Sequence, residues 1–471
     1  MKVKNIVLAI AAALVAPVAL AAPADLATVP AANVFYISGA SAQTPGLAKT
    51  LVAFCAGTVE TYSVGTSASN SFIYYCPSAK ATTTSAVSTG FTAGAKFLVA
   101  KMDQGGSFNG VAPVAPTGSL AGFPAFGNIN SCTTSTTVAL NAGVIAGTYA
   151  GNCANGTAGA IRPQIGLSDV PKSIWAGRGQ LNATDNANLN AIGGFAGQGF
   201  GVAVSKALLN DLQRDQGLVV DGAGQANVPS LSTNQYAALV QAKADGGVWD
   251  ILFPNSAKAV AAGNAALTAA WPPASTLTLH RRQNTSGTQA SSDAYFLNNP
   301  CLSSSTLGGA IAPTAGSATA DTAATYADTA FYTSTVNFLV NERSSTGNVR
   351  TGLAAAGYAL GVLSLENLEA NIGGGAKYVK LDGVSPTVDA VQKANLVNGS
   401  YDFAYELELL TAKPAAANVA ALATALSKEL ANGNVGIAGL YSDPNAGFLI
   451  EGETNHYTRG NNACRKATWF W

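Results

Sequence analysis

The chain has 471 residues, and its 25 basic and 25 acidic side chains give a formal net charge of zero at pH 7. Charged residues make up only 11% of it, which excludes a broad nucleic-acid-binding surface or a patch for anionic membranes. Hydrophobic residues make up 48%, enough for a sizeable core, and the length predicts roughly two or three domains.

Residues 1–21 have the pattern of a secretory signal peptide. Lys2 and Lys4 precede an apolar stretch over 6–20, and small residues at its end suit cleavage after Ala21. The stretch is too short and too rich in alanine for a membrane span, and no later segment is long and apolar enough. We therefore expect an exported protein, periplasmic or secreted, without membrane insertion.

Six cysteines lie in the exported part, and an even number outside the cytoplasm favours disulfides. Several connectivities are possible. Pairing each cysteine with its neighbour along the chain gives Cys55–Cys76, Cys132–Cys153 and Cys301–Cys464. There is no C-x-x-C motif, and the only histidines are His280 and His456, so we predict neither a metal site nor a cofactor.

The first predicted strand, 33–38, runs into a Gly/Ala/Ser turn at 39–42. Thr44 and Pro45 then open a helix, because proline suits the first helical turn. A second strand, 97–102, also ends in a Gly/Ser turn, at 105–111. The pattern strand, small-residue turn and helix start therefore occurs early in the chain.

Similar patterns follow later in the sequence. A short strand over 165–168 ends at Asp169, and a strand over 277–281 is followed by a Ser/Gly/Thr turn at 285–288 that opens a helix. A strand over 199–204 and a helix over 206–214 lie between them. Strands alternating with helices predict an α/β fold.

The remaining segments carry weaker signals. Three stretches rich in Ser, Thr, Ala and Gly, 57–95, 112–160 and 302–325, are interpreted as loop-like insertions. The segment 327–342 is predicted to be helical. The apolar segment 355–365 is interpreted as the return of the chain to its first unit.

Three Gly/Ser/Thr turns, around Ser41, Ser107 and Ser286, each stand between a predicted strand and a helix. Such a turn exposes unpaired backbone N–H groups and adds hydroxyl donors, and a helix start favours a negative ligand. Serine and threonine also cap helices for structural reasons alone. An anion site therefore requires that the turns converge in space.

Four segments resemble the phosphate-binding proteins of phosphate ABC transporters, the PstS-like family. In chain order they are SGAS at 38–41, GSFNGV at 106–111, GLSDVP at 166–171 and RQNTSGT at 282–288. They are similar to that family's patterns G-A-G-A-T-F, G-S-S-G-G, G-A-S-D-x-P and R-x-D-x-S-G-T. The chain departs from the patterns at Ala42, where an aromatic residue is usual, and at Asn284, where aspartate is usual.

The resemblance implies a site that holds inorganic phosphate or a similar oxyanion. The implied phosphate-binding residues are Ser41, Ala42, Ser107, Asp169, Arg282, Ser286, Gly287 and Thr288. The serine and threonine hydroxyls and the backbone N–H groups near Ala42 and Gly287 would donate hydrogen bonds. Arg282 would supply the positive charge as a planar fork. Asp169 would accept a hydrogen bond from the protonated oxygen of phosphate.

The role implied for Asp169 has a clear physical consequence. A carboxylate beside an anion is repulsive unless the anion shares a proton, and phosphate near neutral pH carries one whereas sulfate does not. A buried group left unpaired costs about 1–3 kcal/mol, and more when charged. Asp169 would therefore reject sulfate through a repulsive contact.

The resemblance implies two α/β lobes of the type II periplasmic-binding-protein kind, with the ligand in a cleft that closes by hinge motion. We expect lobe one to combine residues 22–195 with 360–471, and lobe two to be 196–359. An ABC transporter permease is the implied partner. No catalysis is expected.

Two other functions compete with phosphate capture. The low charge and the insertions would also suit an extracellular surface or matrix protein that kept the fold without a transport role. A secreted phosphatase is a weaker alternative, because the sequence has no His/Asp metal cluster and no serine in a recognisable nucleophile arrangement.

Overall fold

The structure is a computed structural model. It describes residues 26–65, 71–134, 148–241, 248–261, 276–301, 322–328, 336–355, 357–386, 395–396, 399–432, 440–441, 457–459, 464 and 468–469. The predicted signal peptide lies outside the described residues, so it stays a prediction.

The described elements alternate between strands and helices. The α-helices are α1 Thr44–Phe54, α2 Lys172–Gly177, α3 Ala183–Ala187, α4 Lys206–Asp215, α5 Thr233–Gln241, α6 Val248–Leu252, α7 Pro254–Ala261, α8 Gly287–Leu297, α9 Thr346–Ala354, α10 Glu369–Ile372 and α11 Ala417–Ala431. The strands are β1 Val34–Gly39, β2 Glu60–Val64, β3 Ser71–Cys76, β4 Phe97–Met102, β5 Thr133–Thr134, β6 Thr148–Cys153, β7 Ile165–Ser168, β8 Leu189–Val204, β9 Ser230–Leu231, β10 Thr276–Arg282, β11 Thr322–Asp328, β12 Val336–Arg343, β13 Tyr358–Ser364, β14 Lys377–Tyr378, β15 Lys380–Leu381, β16 Ala404–Ala412, β17 Leu440–Tyr441, β18 Tyr457–Thr458 and β19 Thr468–Trp469. None of the described helices is both long and apolar enough to cross a membrane.

The first group of strands has the order β16-β7-β1-β4-β3-β2-β6-β5. Its centre is parallel, because β1 pairs in parallel with β4 on one side and with β7 on the other. Such central strands are expected to be apolar on both faces, and every residue of β4 and β7 is buried. The carboxyl ends of β1, β4 and β7 therefore lie at one edge of this group.

The second group has the order β11-β12-β10-β13-β8, with β10 parallel to both β12 and β13. Strand β8 belongs to both groups. Its residues up to Gly199 pair with β16, whereas residues from Phe200 onward pair with β13. The predicted α/β class is confirmed, and the 16-residue strand β8 connects the two strand groups as in a two-lobed protein.

The two strands that follow residue 357, β13 and β14, pair with the second strand group, beyond the predicted end of lobe two at residue 359. Strand β13 pairs with β10 and β8, and β14 pairs with the last residues of β8. Residues 358–378 thus belong to the second group of strands, although the sequence analysis assigned residues from 360 onward to lobe one. The apolar pattern marked a buried strand but could not tell which sheet it joins. The division into lobes with stated boundaries stays a prediction.

Two expectations about secondary structure were wrong. The segment 327–342, expected to be helical, carries the end of β11 and most of β12, because β12 pairs with β10 on one side and β11 on the other. The stretches 57–95 and 112–160, interpreted as loops, contain β2, β3, β5 and β6. These strands extend the first group beyond β4, so pairing across the sheet outweighed their loop-like composition.

The six cysteines form the disulfides Cys55–Cys76, Cys132–Cys153 and Cys301–Cys464, the pairing favoured by sequence order. The first two tie the ends of β3 and β6 to neighbouring segments of the first strand group. Such bonds persist in oxidising compartments, so they fit a location outside the cytoplasm.

Gly39, Gly110 and Gly166 allow the loop after β4 to pack closely on the backbones of β1 and β7. A Cβ on Gly166 would collide with the carbonyl oxygen of Gly110, and one on Gly39 would collide with that of Leu167. The Ser38 hydroxyl also donates to the Asn109 carbonyl at 2.7 Å. This close packing fixes the loop after β4 beside the end of β7.

We predict that Gly166→Ala destabilises the protein by about 1–3 kcal/mol, because the added methyl group forces the two backbones apart. The free energy of unfolding in denaturant measures this. Gly347→Ala is the matched control, because a Cβ in that helical position would meet only the Ser345 hydroxyl, at 3.6 Å. Equal stability of the two variants would contradict the packing described here.

Candidate functional site

The candidate site lies where several strands end. The parallel strands β1, β4 and β7 end at one edge of the first group, and the segments that follow them carry Ser41, Ser107 and Asp169. From the second group, the loop after β10 and the start of α8 contribute Ser286 and Gly287. Ligands in α/β proteins commonly bind at the carboxyl ends of strands.

Three of the sequence-predicted residues are in close contact. The Ser107 hydroxyl donates a hydrogen bond to Asp169 Oδ2 at 2.9 Å, and both side chains are buried. A Cβ on Gly287 would lie 2.6 Å from Asp169 Oδ2 and would collide with Ser107 Oγ. The start of α8 therefore reaches the Ser107–Asp169 pair with its backbone.

The loops after β4 and β10 also touch directly. A Cβ on Gly106 would lie 2.9 Å from the Cα of Ser286, and the Phe108 N–H donates to the Thr285 carbonyl at 3.0 Å. Nearby, Arg178, the C-cap residue of α2, and Asp293 on α8 form a largely buried ion pair at 2.6 Å. Contacts between the two strand groups thus surround the candidate site.

Ser41 and Ala42 lie in the turn between β1 and α1. The Ser41 carbonyl accepts a hydrogen bond from the Thr44 N–H at 3.0 Å, which closes the turn. Gln43 follows as the N-cap residue of α1, and its side chain lies close enough to Asp169 to lower the pKa of that carboxyl group. The turn therefore borders the Ser107–Asp169 pair through Gln43.

Arg282, the last residue of β10, and Thr288, the second residue of α8, are both buried. The Arg282 guanidinium donates to Thr346 Oγ1 at 2.6 Å and to the Ser344 carbonyl at 3.2 Å. It is the arginine whose charge lowers the pKa of Asp169. The neighbouring Arg281 instead lies 3.8 Å from Glu342, as strand alternation would separate the two side chains.

The Asp169 carboxyl group is the electrostatic centre of this site. Burial raises its pKa to about 6, and the Ser107 hydrogen bond, the nearby Gln43 amide and the charges of Arg282 and Lys101 oppose that increase. The group is therefore ionised at neutral pH although it is buried. A buried carboxylate is a strong acceptor for any ligand that carries an acidic proton.

Sequence reasoning missed a buried charged pair under the first turn. Lys101 on β4 forms an ion pair with Asp103, which also accepts a hydrogen bond from Thr44 Oγ1 at 2.5 Å. Both charged side chains are buried. The one signal in the sequence was a single lysine within the apolar strand FLVAKM.

Lys101 also orients the backbone of that turn. Its ammonium group donates to the Gly39 carbonyl at 2.9 Å and to the Ala40 carbonyl at 3.4 Å. In a trans peptide the C=O and N–H groups point in opposite directions. The Ser41 N–H therefore points away from Lys101, and the turn can present it to an anion.

The described residues contain no group of three or more His, Cys, Asp or Glu side chains that could bind a metal ion. His280 is buried, and its Nδ1 accepts a hydrogen bond from Arg343 at 3.1 Å, as in a structural histidine. The site combines hydroxyl and N–H donors, a guanidinium charge and one buried carboxylate. These groups suit binding of a protonated oxyanion.

The chain has only limited similarity to known proteins. No protein-family model and no curated protein sequence matches the chain. A solved structure described as a phosphate ABC transporter substrate-binding protein with bound phosphate, from Clostridium perfringens, is 13% identical, with a TM-score of 0.39, over 86% of this chain and 96% of its own. An ABC-type phosphate transport receptor from Vibrio cholerae is 12% identical, with a TM-score of 0.30, over 57% of this chain and 76% of its own. PstS from Borrelia burgdorferi is 10% identical, with a TM-score of 0.28, over 58% of this chain and 76% of its own. Similarity this low establishes neither a shared fold nor a shared function.

We predict that Lys101→Met destabilises the protein by about 3–5 kcal/mol, because it leaves the Asp103 carboxylate buried without its partner charge. The free energy of unfolding measures the loss. Adding Asp103→Asn to Lys101→Met should restore part of it, because the Asp103 position then no longer holds a buried charge without a partner.

The control for Lys101→Met is Lys96→Met. Lys96 immediately precedes the same strand and is exposed, so its replacement should change stability by less than about 0.5 kcal/mol. If both methionine variants were equally stable, Lys101 would not be supporting the turn.

Proposed function

We propose that this chain is an exported solute-binding protein that captures inorganic phosphate between its two strand groups and catalyses no reaction. The proposed ligands are the hydroxyl groups of Ser41, Ser107, Ser286 and Thr288, the backbone N–H groups near Ala42 and Gly287, the guanidinium of Arg282 and the carboxylate of Asp169. A transport role would require an ABC transporter permease as partner.

The observation that carries the proposal is the contact of Ser107, Asp169 and Gly287. Gly287 starts α8, an 11-residue helix whose first N–H groups and dipole favour a negative charge. Its lack of a side chain lets those N–H groups approach the Ser107–Asp169 pair. Donors for an anion and one acceptor for its proton thus lie together.

Contacts between the two strand groups also support capture of the anion between them. The Phe108–Thr285 hydrogen bond and the Arg178–Asp293 ion pair join the two strand groups around the site. Strand β8 runs from one group into the other and can act as a hinge. We propose that the cleft opens and closes about β8.

Calorimetric titration of the disulfide-intact protein with phosphate, arsenate and sulfate tests this function. We expect phosphate to bind with micromolar or tighter affinity and sulfate to bind much more weakly. No binding of any of the three anions would favour the alternative, an extracellular surface or matrix protein that kept the fold. Turnover of a chromogenic phosphate ester would favour a phosphatase instead.

We predict that Asp169→Asn narrows the gap between phosphate and sulfate affinity by roughly tenfold to several-hundredfold, because an amide no longer repels an anion that has no proton. Competition titrations with the two anions measure the ratio. Asp185→Asn is the matched control, because Asp185 is a buried carboxylate that accepts a hydrogen bond from Thr117 outside this site. An unchanged ratio in Asp169→Asn would show that Asp169 is not the discriminator.

The preference for phosphate over sulfate should also depend on pH. Burial raises the pKa of Asp169 to about 6, so above that pH the carboxylate repels sulfate, and below it the protonated group can donate to sulfate. The affinity ratio should therefore fall as the pH decreases through about 6. The raised pKa means that the folded state binds this proton more tightly, so Asp169 itself favours folding at lower pH. Asp169→Asn should remove the decrease of the ratio near pH 6, which is separate from the titration of free phosphate itself, and persistence of that decrease in the variant would assign it to another group.

A further inference from the structure

Gln43 is an unusual buried residue. The residue is only 2% exposed, it is the N-cap residue of α1, and neither its amide nitrogen nor its amide oxygen has a hydrogen-bond partner among the described residues. Asp169 Oδ1 also lacks a partner there, whereas Asp169 Oδ2 is bonded to Ser107. Unpaired polar groups in a protein interior are costly and usually indicate a missing partner.

The two residues lie close together. The Gln43 amide lowers the pKa of Asp169, although the two side chains fall short of hydrogen-bond geometry. Two hydrogen bonds support the turn that carries Gln43. The Thr44 hydroxyl donates to Asp103, and the Lys101 ammonium group donates to the Gly39 carbonyl. Gln43 is therefore placed by a rigid support, at the carboxyl end of β1 and close to Asp169, beside which the anion is proposed to bind.

The unpaired atoms of Gln43 and Asp169 indicate which hydrogen-bond donors and acceptors a ligand must carry. A primary amide offers a donor and an acceptor whichever way it is turned, and an ionised carboxylate offers acceptors only. Gln43 and Asp169 together therefore present one donor group and two acceptors. Dihydrogen phosphate matches them, because it carries two hydroxyl groups that donate and two unprotonated oxygens that accept.

We propose that Gln43 is a direct ligand of the bound anion: its amide nitrogen donates to one anion oxygen, and its amide oxygen accepts a second acidic proton. The proposal rests on the phosphate-binding function above and specifies its substrate as a doubly protonated tetrahedral oxyanion. Asp169 Oδ1 accepts the first proton. Gln43 thereby selects the protonation state of the anion.

The first test is Gln43→Leu, which keeps the approximate size of the side chain and removes both polar atoms. We expect the affinity for phosphate to fall by about five- to a hundredfold, as for loss of a buried hydrogen-bond partner. We expect the melting temperature of the ligand-free protein to stay the same or to rise, because leucine needs no partner. A residue needed only for folding would show the opposite pattern.

Thr50→Val is the matched control. Thr50 lies in the same helix, about 10 Å along its axis from Gln43, and its buried hydroxyl likewise has no partner among the described residues. Valine should leave both the phosphate affinity and the ligand-induced rise in melting temperature unchanged. Gln43→Met, with an unbranched apolar side chain, serves if leucine disturbs the turn.

The second test measures proton uptake by calorimetry in buffers of different ionisation enthalpy. At a pH of about 8, where free phosphate carries mostly one proton, the wild type should take up close to one proton for each phosphate bound. Gln43→Leu should take up distinctly less. This readout responds to the protonation state of the ligand, which a merely structural glutamine would not change.

The outcomes separate this proposal from the one on which it rests. If the wild type binds no phosphate, both proposals fail. If the wild type binds phosphate and the Gln43 variants bind it equally tightly, only the role of Gln43 is wrong. The same conclusion holds if leucine and methionine lower affinity and ligand-free stability together, or if proton uptake is unchanged.

Discussion

The whole arrangement depends on keeping one carboxylate ionised in a buried position. Asp169 is 4% exposed, and only the Ser107 hydrogen bond, the Gln43 amide and the charges of Arg282 and Lys101 offset the cost of burying it. These four residues come from three separate segments of the chain, because Lys101 and Ser107 both belong to β4 and the loop that follows it. The carboxylate therefore requires the segments to converge, and their convergence brings hydrogen-bond donors and positive charges close to one buried acceptor. In the proposed complex, a ligand that carries its own proton would complete this set of hydrogen bonds.

The fold meets this requirement through the backbone as much as through side chains. Parallel pairing places the ends of β1, β4 and β7 at one edge. Glycines at 39, 110 and 166 then let those backbones pack closely, and Lys101 turns the carbonyls of the first turn inward. The segments 57–95 and 112–160, rich in Ser, Thr, Ala and Gly, add strands at the far side of the first group, away from this edge. The site can thus keep its geometry although the sheet is extended.

Much of this could be predicted from the sequence where the signal is local. Short apolar runs followed by Gly/Ser turns located β1, β4 and β10, a short apolar run before Asp169 located β7, and Ser286-Gly287 marked the start of α8. Local patterns failed where pairing across the sheet decides the outcome: β12 has a composition compatible with a helix, yet it lies between two strands. Lys101 and Gln43 were missed for a related reason. Their importance comes from burial and from neighbours distant in the chain, such as Asp169, and neither leaves a motif in the sequence.

The most direct measurement is a crystal structure of the disulfide-intact protein grown with phosphate, refined without assuming a ligand position. The account predicts a tetrahedral anion within hydrogen-bonding distance of the Ser107 hydroxyl, the Gly287 N–H and Asp169 Oδ1, enclosed between the two strand groups. Phosphate bound elsewhere, or a site left without an anion at saturating phosphate, would contradict it.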